Sequence, residues 1–348
     1  MTEKNNTLKN FFKKKQVKIG SFVLLFLLAL AFVGLPLPYY VQSPGSTIDL
    51  KSMVTINGEE DTEEGSFSLT SVAYRRATPV LLLWAQFNEF ADVESVQEMR
   101  GDASSEEYNQ MQQYLMTAAK NSAIQEAFNL AGVEYTFAYK GIYVMSVQDS
   151  SNFYGDLAVG DTITQADGQT FASQEDFMAY VKAKNIGDDL TITYYHDGEE
   201  RTATEELITL SAEDGTETAG IGITLVEDTE LESDTTVEID TGSIGGPSAG
   251  LMFTLEIYDQ LTEGDLRHGQ QIAGTGTIDS EGNVGQIGGI DKKVVSASQS
   301  GAAVFFAPTD GEDYEDAVAA AKKIGTDMEI VPVTTVQDAL DYLNGLTD

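Results

Sequence analysis

The stretch Gly245-Gly246-Pro247-Ser248-Ala249-Gly250 has the residue types for covalent catalysis. Glycines and a proline shape a tight turn before an apolar-periodic segment, Leu251 to Leu261, which predicts Ser248 in the first turn of a helix. Unpaired N–H groups and the positive end of the helix dipole favour developing negative charge there. A serine so placed is a nucleophile once a base removes its proton. Only two histidines occur in 348 residues, His196 and His268, and both fall in sequences that read as exposed turns or loops. The remaining candidate base is a lysine. In water its pKa is about 10.4, which leaves it protonated at neutral pH, but burial among apolar groups lowers that value by several units. Downstream, Gly288-Gly289-Ile290-Asp291-Lys292-Lys293 sets two lysines at the start of a helix. Helix neighbours point about 100° apart, so only one can enter a site, and spacing leaves open which.

The elements that must position these groups lie in a chain long enough for two or three cores. Its formal net charge is −36, and the asymmetry is sharper than that number. Residues 1–18 hold six lysines and one acid, leaving 14 basic against 55 acidic side chains in the rest. Such a surface repels nucleic acid and reads first as one suited to solubility, with attraction of cationic peptides as the competing reading. The chain has no cysteine, which excludes disulfides, thiolate metal sites, a cysteine nucleophile and an acylated cysteine. With no H-E-x-x-H sequence and few histidines, no metal is expected, and no other cofactor.

Residues 1–18 read as a basic cytoplasmic head. Ile19 to Leu37 is uncharged and long enough, as a helix, to cross a hydrocarbon core. Lysines on its N-terminal side alone predict a retained single span with the bulk of the chain outside the cell. Tyr39 and Tyr40 suit the interface. Residues 38–136 are expected to form a membrane-proximal α/β segment. Ser43-Pro44-Gly45-Ser46 reads as a turn, Gly65–Tyr74 as a strand, Thr78–Phe90 as a buried helix, and Ser104–Leu130 as a helix with Ser105 as N-cap, ended by Gly132. Glu227–Asp234 reads as an acidic linker, and Arg267-His268-Gly269 as an exposed loop.

Gly141 to Val144, followed by Leu157-x-x-Gly160-Asp161-x-Ile163 and Asp167-Gly168, resembles a PDZ domain of the bacterial protease-associated type, and residues 137–220 are assigned to it. That resemblance implies a peptide that adds as an extra strand beside the domain's helix. From 221 to 348, Gly-Pro-Ser-Ala-Gly at 246–250, Thr275-Gly276-Thr277-Ile278, and Ile287-Gly288-Gly289-Ile290 with Lys293 resemble, in the same order, the proteolytic domain of the Lon family. The expected fold class is α+β: one N-terminal transmembrane helix, a PDZ β-sandwich with helices, and an α/β proteolytic domain to which residues 41–100 contribute the first strands. The resemblance implies a Ser–Lys dyad, with Ser248 as nucleophile, Lys293 as general base and Thr275 helping to hold the lysine. Lys292 is then expected to tolerate substitution. The backbone N–H groups of Gly246 and Ser248 are the oxyanion-hole candidates, and Pro247 has none to offer. No G-x-x-x-x-G-K-[ST] loop occurs, so no ATP is expected and substrates should need no unfolding. The whole arrangement is similar to the membrane-anchored PDZ–Lon serine proteases of Gram-positive bacteria, which implies extracellular peptide substrates such as secreted signalling peptides. The competing expectation is a catalytically inactive, membrane-tethered peptide-binding scaffold.

Overall fold

A computed structural model describes residues 21–101, 103–211, 215–262 and 264–346. The basic head, and Ile19 and Gly20 of the expected span, lie outside the described residues. Residues 21–34 are helical with apolar side chains exposed along their length, for example Phe22 and Leu25. Among the described residues no helix is both long and apolar enough to cross a membrane.

After this helix come strand β1 (Tyr39–Asp49), the short β2 (Val54–Ile56) and β3 (Ser66–Arg76). Ser43 to Ser46 is not a turn: β1 runs through it and pairs antiparallel with β3 along its length, with a register shift between Pro44 and Thr47. Helix α1 covers only Pro79–Ala85 and is not buried, since Leu83, Trp84 and, just beyond it, Phe87 face outward. The edge strand β4 (Asp92–Ser95) and helix α2 (Val96–Arg100) lead to the long helix α3 (Ser105–Ala131). The N-cap of α3 is Ser104, in a capping box with Glu107, and not Ser105. At Gly132 the left-handed conformation stops the helix.

A second module follows. Strands β5 (Thr136–Val147), β6 (Thr162–Ala166), β7 (Asp189–His196) and β8 (Glu199–Glu206) form an antiparallel sheet with helix α4 (Gln174–Lys182) against it. Phe153, Ile163, Phe177 and Ile192 fill its core. The small hairpin of β9 (Ile208–Ser211) and β10 (Glu217–Gly220) precedes β11 (Ile223–Glu232). This strand replaces the expected acidic linker. It pairs with β5 from Ile223 to Glu232 and forms the sheet's edge, so the sheet extends past the boundary expected at residue 220. The acids did not prevent strand formation because alternate residues of an edge strand face solvent.

The remaining elements are β12 (Val237–Ile239), helix α5 (Gly250–Leu261), β13 (Gln271–Gly274), the two-residue pair β14 (Thr277–Ile278) and β15 (Val284–Gly285), helix α6 (Ile290–Ser300), β16 (Val304–Pro308), helix α7 (Asp313–Ile324), β17 (Glu329–Val333) and helix α8 (Val336–Asn344). Strands β13, β16 and β17 join those from before the second module in one six-stranded sheet, ordered β17-β16-β13-β3-β1-β4, while β12 pairs with β2 in a separate small sheet. β13 lies parallel to both β3 and β16. Strands buried on both faces read as continuous apolar runs. In β16 all five residues are buried: Val304 and Phe306 pack toward α5 and α8, Phe305 and Ala307 toward α6 and α7. Helices therefore cover both faces of the sheet.

Arg267 is the largest departure from the expected exposed loop. It is 1% exposed and pairs with Asp61, Glu63 and Asp259, with Glu256 3.8 Å away. Burial pushes Glu256 up to about 7 and Asp259 up to about 6, while the guanidinium pulls both the other way. The cluster ties the loop after β2 to the end of α5. Removing one partner from such a cluster leaves uncompensated buried charge. Arg267→Ala is expected to lower stability by about 3–5 kcal/mol, read as a shift in the urea unfolding midpoint.

Candidate active site

The sequence around Ser248 folds as a loop between β12 and α5. Helix α5 begins at Gly250 with Ala249 as N-cap, so Ser248 sits two residues ahead of the helix and not within its first turn. Gly250 is required by close approach: a Cβ there would lie 2.9 Å from the backbone nitrogen of Ile278. The Ser248 carbonyl accepts two hydrogen bonds, from the Gly276 N–H at 2.9 Å and from the Thr275 hydroxyl at 3.0 Å. The Ser248 loop is thereby fastened to the carboxyl end of β13, where parallel sheets place their crevices.

Lys293 arrives from the other face of the sheet. Helix α6 starts from Gly289, which has a φ of 69° and would carry a Cβ 2.9 Å from Val72, so glycine is required on both counts. Asp291 lies in the first turn and Gly289 takes the cap position. From this start α6 packs across β1 and β3. Its geometry separates the two lysines. Lys293 Nζ lies 2.8 Å from Ser248 Oγ and 2.9 Å from Thr275 Oγ1. Lys292 turns away to pair with Asp92 of β4 and with Asp291.

Both lysines are buried, at 2% and 3% exposure, yet they are driven in opposite directions. Burial alone would lower Lys292, but the Asp92 and Asp291 carboxylates hold it above its ordinary value. For Lys293 burial dominates and brings the ammonium down to about 7, opposed only by the Asp313 carboxylate. Lys292 therefore serves as an anchor for β4, and its substitution is expected to cost stability whatever it leaves of cleavage.

The hydrogen positions follow from chemistry. The Thr275 hydroxyl spends its proton on the Ser248 carbonyl, so toward Lys293 it can only accept. A neutral amine then donates to Thr275 and turns its lone pair to the Ser248 hydroxyl. That arrangement suits proton abstraction. Of the two oxyanion-hole candidates, the Gly246 N–H is already engaged, donating to the Gln112 carbonyl of α3 at 2.9 Å. The Ser248 N–H has no partner among the described residues and remains the available donor.

A cleft of about 900 Å³ opens over these groups, walled by α3 and by side chains including Tyr40, Val72, Tyr74 and Tyr108. Two residues that sequence reasoning missed fix the segments that bear these groups. Gln112 holds the Ser248 loop through its carbonyl, and a backbone acceptor leaves no trace in residue type. Asp313 accepts the Ile287 N–H at 2.8 Å, fixing the turn before α6. It sits among other acids at the start of α7, where nothing in the spacing singles it out. His196 does not lie in an exposed turn: it ends β7, with Nδ1 2.7 Å from the buried Asp161.

Comparisons with known proteins fall on the same two modules. Residues 222–344 match the family model for the Lon protease (S16) C-terminal proteolytic domain, and residues 130–207 match that for a PDZ domain. Among curated proteins, Lon protease of Ureaplasma parvum is 39% identical over 85 residues, covering 24% of this chain and 10% of that protein. Lon protease of Campylobacter concisus is 35% identical over 95 residues, covering 27% of this chain and 11% of that protein. The chain thus spans about a tenth of the length of these relatives. The crystal structure of the PDZ domain of an SdrC-like protein from Listeria monocytogenes is 40% identical, covers 26% of this chain and 90% of that one, and superposes with a TM-score of 0.24. The chain carries a PDZ domain and a Lon-type proteolytic domain, and the latter is a serine peptidase domain. Strands β1 and β3, which complete its sheet, lie outside the matched residues.

Two outcomes are expected. In the native protein the pH profile of kcat/KM should rise tenfold per unit on its acid side and level off near the value of about 7 given for Lys293, because only the unprotonated amine can accept the serine proton. A limb centred near 10 would instead mean a solvated lysine. Thr275→Val, which removes the acceptor, should lower kcat/KM by about tenfold to a hundredfold, while Thr275→Ser should retain most of the activity.

Proposed function

We propose that this protein is an ATP-independent serine endopeptidase, anchored in the cell membrane by the apolar run that ends ahead of Leu37, that cleaves peptides on the extracellular side. The observation that carries the reading is the 2.8 Å approach of a buried lysine amine to Ser248 Oγ. In the proposed reaction Lys293 takes the proton of Ser248 as Oγ attacks the scissile carbonyl. The Ser248 N–H then receives the oxyanion. Collapse breaks the peptide bond, and the Lys293 ammonium returns the proton to the departing amine. Water, deprotonated by the same lysine, attacks the acyl-serine; as the acyl–Oγ bond breaks the ammonium returns that proton to Ser248 Oγ and the second product leaves. Thr275 keeps the amine oriented throughout.

The anchor reading rests on the uncharged run 19–37, the lysines confined to its N-terminal side, and the exposed apolar helix over 21–34. Such a chain has its N-terminus in the cytoplasm. The acidic surface of the remainder favours cationic peptides, including secreted signalling peptides of that charge. Capture by strand addition would use the sheet edge at β11, which runs beside α4: Glu227 of β11 accepts the N–H of Gln174 at the start of that helix. From β11 the chain continues through β12 into the Ser248 loop, so a peptide held on that edge lies on the segment that leads to the nucleophile.

The test is full-length protein in membrane vesicles, incubated with cationic peptides and followed by mass spectrometry. Ser248→Ala and Lys293→Ala should each lower turnover by at least about a thousandfold with the fold intact by circular dichroism. Undiminished cleavage by a folded Ser248→Ala protein would remove the mechanism.

A further inference from the structure

We propose that the outward face of α1, carrying Leu83 and Trp84 with Phe87 just past its end, docks on the lipid bilayer surface where the N-terminal helix leaves it. The inference rests on the membrane-anchor reading above and adds a second, non-spanning contact with the same membrane.

Helix α1 has two apolar faces. Leu81 and Leu82 pack inward with Leu37, Val41, Ala77 and Ala85. On the other face Leu83 is 47%, Trp84 43% and Phe87 83% exposed. Single exposed apolar residues are ordinary, but three large ones within five positions, including the chain's one tryptophan, form a patch that water does not favour.

Connectivity identifies what covers the patch. Leu37 belongs to the cluster beneath α1, and its N–H donates to the Ala77 carbonyl at 2.8 Å. The N-terminal helix ends three residues earlier, at Gly34. Three extended residues span at most about 10 Å. Whatever the tilt of that helix, its outer end stays within this reach of Leu37, and therefore close to α1. Half the difference between a bilayer's full thickness and its hydrocarbon core is about 5–8 Å, so α1 is held at the level of the headgroups.

The surrounding chemistry suits that level. Tyr39 is 41% exposed, Arg75 and Arg76 at the end of β3 are exposed, and the Arg76 guanidinium lies 5.3 Å from the Tyr40 ring centroid. Tryptophan and tyrosine favour the interface and arginine pairs with lipid phosphates. Because the extracellular part is otherwise acidic, docking is driven by apolar burial and needs no anionic lipid. Tyr40 and Tyr74, on the adjoining ends of β1 and β3, also line the catalytic cleft, so docking sets the cleft mouth beside the bilayer.

The tryptophan makes this directly readable, since all indole emission comes from Trp84. Full-length protein is reconstituted into phosphatidylcholine vesicles, with and without brominated acyl chains, and floated on a density gradient. Co-flotation is expected, with most of the Trp84 emission lost in brominated lipid and little lost to aqueous iodide. A Leu83→Ser/Phe87→Ser variant should float and cleave a soluble peptide at the native rate, but lose most of the bromolipid quenching. Co-flotation with Trp84 open to iodide and unaffected by bromolipid would overturn the docking while leaving the anchor in place. Shielding from both quenchers would do the same, since protein and not lipid would then cover the patch. Protein that does not float removes the anchor reading, and this inference with it.

Discussion

A buried lysine amine, its pKa brought near neutrality and facing a serine hydroxyl, is the constraint on which the rest of this structure depends. Water would return Lys293 to its ordinary protonated state, and the amine would have no lone pair to offer. Bringing its pKa from 10.5 to about 7 costs on the order of 5 kcal/mol of folding stability at and below neutral pH. The sign is set by linkage: the unfolded chain keeps the proton that the native site disfavours, so the cost fades only as pH rises through the range between the two values. The surrounding architecture offsets it with apolar burial on both faces of a six-stranded sheet.

That requirement accounts for the interleaved order of the chain. Helix α6 can bury its first turn only against strands already laid beside it, and those are β1 and β3, from before the PDZ-like sheet. β13, from after it, completes the sheet and presents Thr275 at its end. The second module is spliced between the two halves, and its edge strand β11 runs through β12 toward the Ser248 loop. In the proposed function, peptide capture and peptide cleavage are therefore neighbouring events along one stretch of chain.

Lys292 and Lys293 show how far adjacent residues can diverge. Both are buried, and both belong to the same turn of α6. Carboxylates meet Lys292 and stabilise its charge, so it works as a structural cation holding the edge strand β4. Hydroxyls meet Lys293, and its nearest carboxylate influence, Asp313, is spent on the Ile287 N–H. The difference between an anchor and a base lies in which acceptors wait at the end of the side chain. A comparable divergence separates the inward leucines of α1 from its outward tryptophan.

The amino-acid sequence by itself determined the local conditions. It supplied the glycines at 250 and 289, a serine after a proline turn, two lysines at a helix start, the apolar runs of β13 and β16, and a strongly acidic charge balance. These were legible because glycine, proline and apolar periodicity act over a few residues. Only the tertiary structure decided which lysine reaches Ser248, that Gly246 is already bonded to Gln112, that Arg267 is buried, and that the acidic stretch of β11 is an edge strand. Each of these depends on partners far away in the chain: Asp92 lies 200 residues from Lys292 and Asp61 lies 206 from Arg267. A buried charge or a committed N–H is defined by its partner, and residue type carries no record of a partner that folding alone brings near.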